Sequence, residues 1–60
     1  MSQHDDFLEG FKEAAGLESL GEAEIAAADW ALGMSEIERI DLESGGYWAG
    51  LEAGREWRKE

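Results

Sequence analysis

The chain has 60 residues, with 15 Asp plus Glu against 5 Lys plus Arg, a formal net charge of −10, and neither Cys nor Pro. That length holds one small domain, near the lower limit at which a single apolar core sustains a fold, and without Cys there is no disulfide framework and no thiolate metal site. The sign of the charge disfavours nucleic acid, anionic lipid and acidic substrates, so a basic protein surface is the natural complement.

The longest apolar run, Ile25 to Ala28, falls far short of a bilayer span, and no basic-then-apolar leader opens the chain. A soluble, cytoplasmic protein without membrane contact is expected. The charge is unevenly placed: residues 1–44 hold 12 acids and 2 bases, whereas residues 45–60 hold 3 of each. With 11 Glu against 4 Asp and no Thr or Val, the composition departs from the Asp-rich pattern of salt-adapted proteins.

Nine Ala and eleven Glu beside the missing Val and Thr favour helix over sheet. In the first segment Phe7, Leu8, Phe11, Ala14 and Ala15 recur at helical spacing, Ser2 and Asp5 give a start signal, and Gly16 is the expected stop. Ser19 and Glu22 form a capping-box pattern ahead of a second helix. That helix carries two apolar stripes, Leu20, Ala23, Ala27, Trp30 and Met34 on one side and Ile25, Ala28 and Leu32 on another, as suits a central helix packed from two sides. Gly33 is its expected left-handed stop, and Ser35 with Glu38 starts a third helix bearing Ile37 and Ile40. Adjacent glycines cost about 1 kcal/mol each inside a helix, so a break or kink is expected at Gly45 and Gly46. The alternative is one continuous helix from Ile37 to Arg58. The fold expected is an all-α bundle of three helices.

Asp5, Glu9 and Glu13 stand four apart on one face, with Asp6 alongside. Like charges at this spacing weaken a helix by a few tenths of a kcal/mol per pair, and the ~6 Å rise per step is similar to a run of backbone phosphates. The face reads either as a solvated surface or as a rail for a basic, nucleic-acid-binding groove. Glu22, Asp29, Glu36 and Glu43 extend this acidic set along the second and third helices. Gly46, Gly50 and Gly54 form G-x-x-x-G-x-x-x-G beside Ala49 and Ala53, a strip that another backbone can approach closely: the second helix of the same chain, or a second copy in a homodimer. Trp30 reads as core, whereas Trp48, Arg55 and Trp57 read as a second contact patch, since Trp and Arg are enriched in interface hot spots.

Residues 24–35, EIAAADWALGMS, resemble the E-I-A-x-x-L-G-M-S run of sigma-factor-type helix-turn-helix domains, with three extra residues between Ala26 and Leu32. The resemblance implies DNA binding, but the following helix carries Glu36, Glu38, Asp41 and Glu43 against Arg39 alone, a field that repels phosphate. The run is better read as a helix, a Gly turn and a capped helix. One His, four Ser without triad partners and no phosphate or calcium loop leave no catalytic constellation, so neither enzyme activity nor a cofactor or metal is expected. The functional expectation is a non-enzymatic acidic decoy for a basic surface on a nucleic-acid-handling protein, similar in size and charge to phage-encoded anti-CRISPR and anti-restriction inhibitors. The alternative is a structural helical protein that homodimerises through its glycine face and uses acidity only for solubility.

Overall fold

Phe7 and Phe11 set the packing. They are the largest fully buried side chains, and with Leu8 they place one face of the first helix at the centre of the core. In the computed structural model, which describes residues 3–59, the chain is helical throughout: α1 (Gln3–Ala15), α2 (Leu20–Trp30), a 3₁₀ turn (Ala31–Gly33), α3 (Glu36–Glu43) and α4 (Gly46–Lys59). Burying each Phe is worth about 1.5–3 kcal/mol. Against them α2 offers only Ala23, Ala26 and Ala27, and α4 offers Ala53, Gly50 and Gly54. Trp30 and Trp57 close the two sides, with ring centroids 6.2 Å from Phe7 and 6.1 Å from Phe11 respectively.

Gly16 follows the end of α1 and Gly46 opens α4, each in the left-handed conformation that glycine adopts most readily. At Gly16 (φ +72°) the amides of Gly16 and Leu17 donate to the carbonyls of Glu13 and Lys12, a Schellman motif that closes α1 and turns Leu17 back onto the core. Gly46 (φ +65°) reverses the chain between α3 and α4. The expected break is therefore real, and it makes four helices rather than three. The Ser2 start signal lies outside the described residues. Gly33 is not left-handed: α2 tightens into the 3₁₀ turn instead, and the Met34 amide donates to the Ala31 carbonyl at 3.0 Å before Ser35 caps α3.

The glycine strip meets a different partner from either expected one. A Cβ on Gly50 would lie 2.0 Å from the carbonyl oxygen of Phe7, one on Gly54 2.7 Å from that of Phe11, and one on Gly10 2.1 Å from that of Tyr47. The strip therefore packs on α1 of the same chain, backbone on backbone, with Gly10 as the reciprocal small residue. The second stripe of α2 also differs from expectation, since Ile25, Ala28 and Leu32 face solvent and no helix covers them.

Gly50→Ala forces α1 and α4 apart and should cost about 1–3 kcal/mol, roughly 4–8 °C of melting temperature per kcal/mol in a domain this small. Gly21→Ala is the control. A Cβ there meets only the Ser19 hydroxyl at 3.8 Å, so a gain of about 0.5–1 kcal/mol is expected in the same melting experiment. Equal effects of the two substitutions would refute the backbone contact. A second expectation concerns α3, whose eight residues bury no side chain and are fewer than the ~12–15 needed for a helix stable on its own. Its amides should exchange hydrogen well before those of α1 and α4, and equal protection would show that α3 is held as firmly as the core.

Candidate binding surface

The acidic residues divide by what the fold already does with them. Asp5 and Asp6 stand in the first turn of α1, Glu22 in that of α2 and Glu36 in that of α3. Carboxylates there are favoured by the positive end of the helix dipole. Glu22 does more, accepting the Glu18 amide at 3.1 Å while the Ser19 hydroxyl accepts the Glu22 amide at 3.2 Å. The Ser35 hydroxyl receives the Glu38 amide in the same way. Asp6 also reaches the start of α4, where a Cβ on Gly46 would lie 4.0 Å from the Asp6 Cβ.

A second group has Lys, Arg, His or hydroxyl partners. Lys12 Nζ lies 3.7 Å from Glu9, Arg39 Nε lies 3.8 Å from Glu43, and His4 Nδ1 lies 3.0 Å from the same Glu43 carboxylate, tying α3 to the start of α1. Glu13 accepts the Tyr47 hydroxyl and shares a shallow depression with Arg55, Arg58 and Lys59. The row Asp5, Glu9, Glu13 is thus no bare rail. Glu9 is paired with Lys12 and Glu13 accepts a neutral hydroxyl, and the other end of the row lines a depression with Asp6 and Leu20.

Asp29 belongs to neither group. It stands in the last turn of α2, at the negative end of the dipole, where a carboxylate costs about 0.3–1 kcal/mol, and that turn contains no base. It lines an apolar depression with Leu17, Ile25, Ala26 and Trp57, and Glu22 joins the rim. Three residues expected to bind a partner, Glu22, Asp29 and Trp57, are therefore brought together. Trp48 and Trp57 are not: Trp48 is 76% exposed and packs edge-on against Tyr47, whereas Trp57 turns to the opposite, core-facing side of α4 and meets Phe11. The patch expected from Trp48, Arg55 and Trp57 does not form.

Gly50 and Gly54 are buried in the α1–α4 contact and Gly46 lies at the α3–α4 reversal, so self-association through them would require α1 to be displaced. What the sequence reading missed is the outer face of α2, Ile25 and Leu32 with Glu24 beside them. The signal was present as a second apolar stripe bordered only by acids. Among the described residues no helix is long and apolar enough to cross a membrane, and no group of three or more acidic or His side chains could hold a metal ion. Compared with known proteins, the chain matches no family model, no curated protein and no solved structure.

The Tyr47–Glu13 bond gives a pH signature. The neutral phenol donates to Glu13, and a tyrosinate would lose that bond and face the carboxylates of Glu13 and Glu9. The hydrogen bond, then partial loss of hydration, then those two charges hold the phenol above its ordinary value of 10.0. Because the folded value is the higher one, the stabilisation is full below pH ~10 and is lost as pH rises through the raised value. An absorbance titration of this single tyrosine should give a midpoint above 10 that falls back in Glu13→Ala. The stability advantage over Tyr47→Phe should vanish across the same alkaline window. An ordinary midpoint in the native protein would remove the bond.

Proposed function

We propose that this protein is a non-enzymatic acidic binding protein that occupies a basic, nucleic-acid-binding surface on another protein and competes there with phosphate. Asp29 carries the reading. A carboxylate that is exposed, has no ion-pair partner among the described residues and stands at the unfavourable end of its helix is poorly explained by the stability of the isolated chain. It stands with Glu22 and Glu24 on a helix that has no Lys or Arg. The acids of α3, Glu36, Glu38 and Asp41, add to the same sign of field, with Arg39 paired to Glu43. Such a field steers a basic partner and accelerates encounter, and the association weakens with salt. The size and charge are those of phage-encoded inhibitors of host defence, which makes a nucleic-acid-handling defence protein the natural class of target. The competing homodimer reading is weakened by the position of its glycines against α1.

The test is capture of proteins from cell extract on the immobilised chain at ~50 mM and ~200 mM salt, followed by elution with duplex DNA. A nucleic-acid-binding protein should be retained at the lower salt, released by the duplex, and depleted at the higher salt. Retention of none at either salt, or retention unaffected by duplex DNA, would overturn the proposal.

A further inference from the structure

The outer face of α2 and of the 3₁₀ turn that follows it carries exposed apolar side chains. At about 100° per residue, Ala23, Ala26, Ala27 and Trp30 point to the core, which places Gly21, Ile25 and Ala28 on the opposite side, and Leu32 follows in the 3₁₀ turn that continues α2. Ile25 is 75% and Leu32 80% exposed. Isolated exposed apolar residues are ordinary, but these two stand seven positions apart on α2 and its 3₁₀ continuation, with Ala28 on one side of the line between them and Asp29 on the other. Glu24 borders the stripe on one side and Glu22 and Asp29 on the other, with no base in α2 or the 3₁₀ turn. From Ile25 the apolar surface continues past Asp29 into the depression floored by Leu17, Ala26 and Trp57.

We infer that this stripe receives a basic amphipathic helix of the partner protein, its apolar residues lying on Ile25, Leu32 and Trp57 and its Lys or Arg flanks on Glu22, Glu24 and Asp29. The inference rests on the proposed acidic binding function and names the element that is bound. The charge selects the occupant. A second copy, stripe to stripe, would bring three carboxylates from each chain to one seam with no base on either helix, whereas a basic amphipathic helix neutralises the same rim as its apolar face is covered. Recognition then has two separable parts: an encounter driven by charge and sensitive to salt, and an apolar anchor that is not.

The probe is a synthetic helix-forming peptide with Leu at i, i+4 and i+7 and Lys or Arg on both flanks. The control peptide has the same charge and Ser in place of Leu. Binding to the intact protein is followed by amide and indole NMR shifts. The amphipathic peptide should shift Ile25, Ala28, Leu32 and the Trp57 indole and bind at least ~10-fold more tightly than its control, about 1.4 kcal/mol. Ile25→Ser with Leu32→Ser should abolish that difference while leaving the melting temperature and the weak binding of the Ser peptide unchanged. Glu24→Gln with Asp29→Asn should weaken both peptides together. Equal binding of the two peptides by the native chain would overturn the docking stripe and leave the acidic decoy standing. Binding of neither would overturn both. Shifts confined to α3, or a dimer in sedimentation that the Ser variants dissolve, would also overturn the assignment, the latter in favour of a second copy.

Discussion

The fold depends on one contact, the close approach of the α1 and α4 backbones across Gly10, Gly50 and Gly54. With no Cβ at these positions the helices interlock more closely than side-chain ridges permit, and the area buried comes from main chain and alanine. A chain of 60 residues has few bulky groups to spend on a core, and this one uses Phe7, Leu8 and Phe11 from a single helix, with Trp30 and Trp57 as sides. The seam between α1 and α4 needs almost none of that bulk. The arrangement also explains the alanine face of α2: facing two phenylalanines, it can approach only if its own residues are small. The result is a core complete with three helices, so the larger apolar residues of the middle of the chain, Ile25, Leu32, Ile37 and Ile40, have nothing left to bury against.

Local chemistry was legible in the sequence wherever one residue type has one dominant use. The Ser19–Glu22 and Ser35–Glu38 caps, the Gly16 stop and the break near Gly45 and Gly46 all appear where expected, because an exposed amide or a positive φ is satisfied within a few residues. The core face of α1 followed from period alone. What could not be read was which helix meets which. The G-x-x-x-G strip announces that some backbone comes close without saying whose, and its counterpart on α1 is a lone Gly10 with no repeat to mark it. The second stripe on α2 failed for the complementary reason, since periodicity shows that a face is apolar but not that a neighbour exists to cover it. Gly33 failed because a 3₁₀ turn satisfies the end of α2 without a left-handed residue.

The same limit applies to charge. Fifteen acids read along the chain look like one excess, yet in three dimensions about half answer local needs: first-turn carboxylates at the starts of three helices, a cap at Glu22, pairs at Glu9 and Glu43, and the hydroxyl bond to Glu13. The row on α1 is partly engaged within the fold, Glu9 with Lys12 and Glu13 with the Tyr47 hydroxyl. The acids of α2 are more informative, because Asp29 runs against its helix and Glu24 has no ion-pair partner among the described residues. Position relative to a helix end and to the nearest base, rather than number, separates structural acids from those available to a partner.

This separation also removes the opposition between acidity as solubility and acidity as recognition. An exposed stripe bearing Ile25 and Leu32 would by itself invite self-association. With Glu22, Glu24 and Asp29 along its edges, the proposed docking stripe would repel copies of its own chain and accept a surface of opposite sign, so under that proposal one charge would serve both dispersal and the choice of partner. On that view the small core and the unbalanced charge have a common origin. A core made from one aromatic helix against alanine and glycine leaves the outer face of α2 uncovered, and under the proposed function its acidic edges are what a basic partner would meet.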